Sequence, residues 1–223
     1  HSYLESVQQQ MEKDKLIPRF SSKLVLFATH VNSFPETFIS QFSNATFLSV
    51  EKNVPPWTIL SPNRIISLPY TILGLPPSDE NDDEHIRDIF LSFDGHFSPQ
   101  AKDDVRSRVF NELSSHPKVD VITDHLTKAE YEARLQRSVY CFAGADNIPS
   151  SIKLFEAIVH GSIPIVAADG LELPFEGEID YTKIGIFLPS AFPVKDYIPT
   201  LSMIDTAPYK KAIEESKYKF KSS

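Results

Sequence analysis

Between residues 89 and 168, four short apolar runs are separated by three stretches of helical periodicity, and no other feature constrains the fold of this chain as much. The runs are Ile89-Phe-Leu-Ser-Phe93, Val119-Asp-Val-Ile122, Val139 to Ala143 and Ile163 to Ala168. Each is too short for a helix and rich in β-branched or aromatic residues, so each reads as a buried strand. Between the first two, Val105, Val109, Phe110 and Leu113 mark one apolar helical face. Ser98 before Pro99 is a favourable entry to that helix, since a hydroxyl can cap and proline suits the first turn. Ala129 to Arg137 and Ser151 to His160 read as the other two helices. Strands joined through helices require crossover connections, which predicts a mainly parallel sheet flanked by helices. Ile184 to Leu188 adds a further strand, and Tyr209 to Tyr218 a charged, moderately amphipathic helix.

The first half repeats the pattern in shorter form. Residues 24–28, Thr46 to Val50 and Arg64 to Tyr70 read as strands. Leu75-Pro-Pro-Ser-Asp-Glu-Asn-Asp-Asp-Glu84 then combines prolines with acids and almost no apolar residue, which reads as a linker. Its acids read as a solvated loop, because nothing shapes them into a metal cage. The expected organisation is therefore α/β with two Rossmann-like domains, a short one over 1–84 and a larger one over 85–223.

Composition excludes several partners. The formal net charge of −8 argues against an electrostatic grip on nucleic acid or an anionic membrane. An acidic protein that binds phosphate must do so locally, with a few placed donors. Cys141 is the only cysteine, so an intrachain disulfide and a multi-cysteine zinc site are excluded, and a reducing compartment is mildly favoured. No stretch is long and apolar enough to span a membrane, and no signal peptide is visible. The sequon Asn44-Ala-Thr46 carries little weight, since chance sequons are common.

The segment Gly144 to Pro149 falls at the carboxyl end of a predicted strand, where open parallel sheets bind ligands. Gly144 is expected to permit a tight turn. Ser150 or Ser151 can cap the following helix, whose free N–H groups make an anion site. Lys153 then stands in the first turn, where the helix dipole disfavours a cation, and that placement is explained if it serves an anion. Lys153, Glu156, Ala157 and His160 share a face at three- and four-residue intervals, leaving Leu154, Phe155, Ile158 and Val159 to cover the sheet. A cation followed one turn later by a carboxylate suits a nucleotide-sugar, with the diphosphate near Lys153 and the ribose hydroxyls near Glu156. An ordinary surface Lys–Glu pair, contributing about 0.2–1 kcal/mol, fits the same spacing. His160 before Gly161 reads as a favourable cation at a helix C-terminus. Asp169 and Glu172 follow the next strand and can face the same cleft. Asp169-Gly170 is also an ordinary turn pair, while Glu172 between two leucines needs a partner.

These residues carry a resemblance. Tyr131-Glu-Ala-Arg-Leu-Gln-Arg-Ser-Val-Tyr-Cys-Phe, Gly144, Ser151-Ile-Lys-Leu-Phe-Glu-Ala-Ile, Gly161-Ser-Ile-Pro-Ile-Val and Glu172-Leu-Pro-Phe resemble, in order and spacing, the exostosin family of glycosyltransferases, family 47. That family has a segment ending in Phe-Cys, a Ser-x-Arg-x-x-Glu-Ala helix, a Cys-x-Pro-Val strand and a Glu-Leu-Pro-Phe loop. Weaker likenesses lie at Asp104-Val-Arg106, Phe27-Ala-Thr-His30 and Arg64 to Pro69. Two departures stand out. Lys153 occupies the usual arginine position, replacing a bidentate phosphate fork with a point charge, and Ser162 replaces a frequent cysteine. The first domain is also shorter than is usual in the family.

The resemblance implies the GT-B architecture and inverting transfer from a UDP-sugar to a glycan hydroxyl, without an essential metal or other cofactor. Donor sugars among relatives include xylose, galactose and glucuronate, and the acceptor is an oligosaccharide or glycoprotein glycan. By position, Ser151, Lys153 and Glu156 hold the nucleotide, joined by Ser150, Gly144 and Glu172, with Arg106 near the diphosphate. Arg108, with Asp104 and Glu112 four residues to either side, reads instead as a surface ion ladder. His30, Glu36 and Asp94 each lie near a strand end and are candidate bases, and His30 has the most suitable intrinsic pKa. The alternatives are a silent nucleotide-binding partner of an active transferase, in a homo- or hetero-dimer, or another nucleotide-sugar enzyme such as an epimerase or phosphorylase. The single cysteine favours a cytoplasmic location, against the Golgi lumen with an anchor upstream of His1, which does not resemble a natural start.

Overall fold

A computed structural model describes residues 23–28, 34–50, 57–69, 86–94, 104–123, 126–144 and 152–220, together with Gln10 and Lys13. The chain divides into two compact units. The first comprises residues 1–70 with Glu172–Glu176, and the second Thr71–Leu171 with Gly177–Ser223. The 75–84 linker of the sequence reading, and Ser98 and Pro99, lie outside the described residues.

In the first unit, β1 (Val25–Ala28), β2 (Thr46–Ser49) and β3 (Ile65–Ser67) form a parallel sheet in that order. The register sets Phe27 beside Leu48 and Leu48 beside Ile66. The six-residue helix α1 (Glu36–Gln41) follows Pro35, and its acidic Glu36 sits in the first turn where the dipole favours it. Phe38 and Phe42, four residues apart, present one face. That face completes an aromatic core. Phe34 stacks on Phe38 with centroids 4.9 Å apart, and Phe47 meets Trp57 edge-on at 5.5 Å. Such pairs add about 0.5–1.5 kcal/mol each beyond the area they bury.

The second unit has a five-stranded parallel sheet. Its strands are β4 (Ile89–Asp94), β5 (Val119–Ile122), β6 (Ser138–Phe142), β7 (Ile163–Ala167) and β8 (Ile186–Leu188). Their spatial order is β5-β4-β6-β7-β8. The chain steps outward from β4 to β5, then returns across β4 to build β6, β7 and β8. The winding therefore reverses between β4 and β6, and in doubly wound sheets the crevice outside the carboxyl ends at that reversal is where ligands bind. All five residues of β7 are buried, which is why its sequence is a continuous apolar run rather than an alternation.

Helices α2 (Val105–Leu113), α3 (Lys128–Arg137) and α4 (Ile152–Val159) make the crossovers. The cap of α2 is Asp104, whose side chain accepts the Ser107 N–H at 2.6 Å; the helix entry expected at Ser98 falls outside the described residues. Thr127 and Glu130 form a capping box at the start of α3. Two further helices, α5 (Tyr197–Ser202) and α6 (Ala207–Ser216), precede a 3₁₀ turn that brings Phe220 onto Phe155, centroids 5.6 Å apart. Arg87 ties the crossovers together by donating to the carbonyls of Leu135, Ser138 and His160. Gly161 closes α4 with a φ of +74°, and a Cβ there would lie 2.4 Å from Arg87 Nη2. The left-handed backbone therefore favours glycine, and a side chain there would also displace the Arg87 guanidinium.

Candidate functional site

The carboxyl ends of β4 and β6 gather most of the described site residues. Asp94 is the last residue of β4, and its backbone carbonyl accepts a hydrogen bond from Lys153 Nζ on α4. Arg106 Nη2, from the first turn of α2, reaches the same carbonyl at 3.5 Å. Its guanidinium carbon stands 5.9 Å from the Phe93 ring centroid. Two cations from different crossover helices thus converge on the end of the strand at the winding reversal.

Glu156 lies one turn beyond Lys153 on α4 and accepts a hydrogen bond from the Tyr131 hydroxyl at 2.8 Å. The Tyr131 ring faces Lys153, whose Nζ is 6.0 Å from its centroid. The ring packs against buried Leu135, Cys141 and Ala157, which fixes its position. Burial pushes the Glu156 carboxyl upward, against the opposing pull of Tyr131 and Lys153. Burial likewise lowers the Lys153 ammonium, although nearby Asp94 and Glu156 pull it back. Desolvation is the largest influence on both groups, each of which is half-buried. The buried Cys141 thiol is pushed up to about 12, which leaves it a neutral packing group.

A buried ion cluster missed in the sequence supports this end of the sheet. Arg134, only 5% exposed, sets its Nε 2.9 Å from the Asp94 carboxylate and also pairs with the Asp120 carboxylate and carbonyl. Burial raises the Asp94 carboxyl, with Arg134 and Lys153 opposing. A buried arginine bracketed by two carboxylates is tolerated only as a set, because removing one member leaves another charge desolvated and unpaired. Asp94 is therefore a structural anchor in this cluster and not the open base that its strand-end position allowed. Glu36, the other acidic candidate, is the first residue of α1 and is exposed.

Several sequence expectations change. Gly144 is needed for space: its φ is not positive, and a Cβ there would lie 2.2 Å from Phe142 Cζ. Glu172 is exposed between partly buried Leu171 and buried Leu173, so no buried carboxylate demands a partner there, and Glu176 accepts the Leu173 N–H at 2.7 Å. Glu172 groups with the first unit, whereas Lys153 and Glu156 belong to the second. His160 is 4% exposed rather than a surface cation, and Ala157 is fully buried, so the shared face of α4 narrows to Lys153 and Glu156. Arg108 forms no ion ladder. It donates to the Ser190 carbonyl at 2.5 Å, while Asp104 serves Ser107. Asp169 accepts from Ser190 N at 3.1 Å and from its hydroxyl, which makes it a loop tie. His30, Ser150 and Ser151 lie outside the described residues. Tyr131 lies within the family-like segment Tyr131–Phe142, whose pattern alone assigns it no role. Its one local signal was a large aromatic on an otherwise charged helix.

A probable glucuronosyltransferase of Oryza sativa subsp. japonica is 33% identical over 129 residues, which cover 54% of this chain and 29% of that protein. A probable beta-1,4-xylosyltransferase of Arabidopsis thaliana is 33% identical over 129 residues, covering 54% of this chain and 30% of that protein. The chain thus spans about three tenths of the length of these curated relatives. Among solved structures, a glycotransferase of kitacinnamycin aligns with a TM-score of 0.40 and 11% identity, covering 99% of this chain and 63% of that one, a likeness on which no argument rests. The model of the Exostosin GT47 domain matches residues 24–202, well over half of the chain, and takes in both parallel sheets and the Asp94–Lys153–Glu156 end of the second. The chain belongs to the exostosin family of glycosyltransferases, GT47.

Proposed function

We propose that this chain carries the donor-binding part of an inverting glycosyltransferase, which moves a sugar from a UDP-sugar to a hydroxyl of an oligosaccharide or glycoprotein glycan. The observation that carries the reading is the pairing of Lys153 and Glu156, one helical turn apart at the winding reversal, with Arg106 directed to the same strand end. The named activities of the relatives, glucuronosyl and xylosyl transfer, support glycosyl transfer as the reaction and a glucuronate or xylose donor as the first to try.

In this reading Lys153 and Arg106 turn from the Asp94 carbonyl to the diphosphate and balance the charge that develops as UDP departs. Lys153 acts as a point charge, so Arg106 supplies the only guanidinium fork of the pair. The Glu156 carboxylate accepts hydrogen bonds from the ribose hydroxyls. The acceptor hydroxyl loses its proton to a base, its oxygen attacks the anomeric carbon, and the bond from that carbon to the phosphate oxygen breaks with inversion. His30 is proposed as the base, because an unperturbed imidazole titrates nearest to neutral pH. Charge balance by Lys153 and Arg106 leaves no step that requires a metal, so transfer is expected to survive a chelator.

The test is thermal shift with UDP and GDP, together with UDP release from a panel of UDP-sugars. Stabilisation by UDP over GDP, with release from one donor, is the expected result. Glu156→Ala is expected to abolish UDP binding with the fold intact, and unchanged affinity in that variant would remove the ribose assignment.

A further inference from the structure

We propose that Tyr131 is a positioning residue for donor binding: it holds the Glu156 carboxylate in the orientation that receives the ribose, while its ring sets the place of Lys153. The inference deepens the reading above and rests on it. Three features of the geometry carry it. The Tyr131 hydroxyl donates to Glu156 Oε2 at 2.8 Å, which leaves Oε1 as the oxygen to face a ligand. The ring lies 6.0 Å from Lys153 Nζ, within cation–π range. The ring itself is held by Leu135, Cys141 and Ala157, so one side chain from α3 aligns both polar groups of α4 against a fixed background.

The alignment matters because α4 alone does not provide it. Lys153 and Glu156 are long side chains with several rotamers, and each loses freedom on binding unless it is held beforehand. A hydrogen bond from the half-buried hydroxyl also favours the ionised form of Glu156, the form that accepts from sugar hydroxyls. Among the described residues, Lys153 and Lys128 also favour its ionisation, and Glu132 opposes it.

Tyr131→Phe keeps the ring and its packing and removes only the hydroxyl. UDP binding by the full chain, measured by calorimetry, is expected to weaken about tenfold in this variant, the effect of losing one hydrogen bond to a charged group. Binding of uridine should weaken by the same factor, since the ribose is common to both ligands. In a Glu156→Gln background, adding Tyr131→Phe should cost less UDP affinity than it does in the native chain, because the amide accepts the same hydrogen bond without the charge that strengthens it. The acid limb of UDP binding should move to higher pH in Tyr131→Phe, since the lost hydrogen bond had lowered the Glu156 pKa. An unaltered melting temperature of the ligand-free variant separates these effects from unfolding.

Unchanged UDP affinity and an unchanged acid limb in Tyr131→Phe, alongside a strong loss in Glu156→Gln, would overturn the role of Tyr131 and leave the donor site standing. Additive losses in the double variant would also overturn it, because Tyr131 would then act independently of Glu156. Unchanged affinity in Glu156→Gln itself would overturn the donor site, and the role of Tyr131 with it.

Discussion

The two parallel sheets of this chain solve different problems. In the first unit the sheet has one well-filled side, where Phe47 and Trp57 are fully buried, and one side among the described residues that stays open, with Phe27 65% and Ile66 50% exposed. In the second unit β7 is buried along its whole length, and the last four residues of β4 are buried. The interiors differ in kind as well. The buried polar residue of the first unit's described sheet is Ser49, whereas the second unit encloses Asp94 and Arg134 at the mouth of its winding reversal. Desolvating an ion costs several kcal/mol before any partner offsets it, so this buried charge is tolerated only with its partners in place. The contrast therefore sets the buried charge in the second unit, at the strand end that Lys153 and Arg106 also reach.

The largest test of this contrast is Arg134→Leu. It leaves Asp94 buried without its cation, and the expected loss is about 3–5 kcal/mol in urea denaturation. A loss no greater than that of a surface variant would mean that the cluster is not part of the interior. Gly161→Ala comes next: a left-handed φ of +74° and the nearby Arg87 guanidinium should together cost at least about 1–2 kcal/mol, read as a lowered urea midpoint.

A pH dependence sharpens the comparison at smaller scale. The folded Glu156 carboxyl is raised above its ordinary 4.5, so between that value and its folded pKa the native chain binds more protons than the unfolded one. Stability contributed by this group therefore falls as pH rises through that window. Glu156→Gln should flatten that slope in urea midpoints measured from pH 4.5 to neutrality, and an unchanged slope would assign the dependence elsewhere. The smallest effect is expected on the open side of the first sheet. Phe27→Ser should alter stability by no more than about 0.5 kcal/mol, and a larger loss would show that this side is covered in solution.

The elements that could be read from the sequence were those whose pattern is local and long enough. Val119–Ile122 appears in the structure at the expected residues, and Ile89, Ser138 and Ile163 begin strands within a residue of expectation. Helices α1 and α5, six residues each, were not read, because fewer than two helical turns display no period. Of the site, Lys153 and Glu156 were legible because they share a helix and their spacing alone places them together. Arg134 was not. It stands in the charged stretch Lys128–Arg137, where a solvated face is the natural reading, and only Asp94 and Asp120 from two separate strands make its burial tolerable.

Apolar runs and helical periods by themselves determined that this chain folds as parallel α/β units, and the spacing on α4 determined which helix carries a cation and a carboxylate together. The tertiary structure alone decided that the winding reverses between β4 and β6, that Arg106 and Lys153 meet at Asp94, and that Tyr131 reaches Glu156. Strand order and cross-helix contacts join residues dozens of positions apart. No local pattern encodes them, because they depend on which faces are buried against one another once the sheet has closed its core.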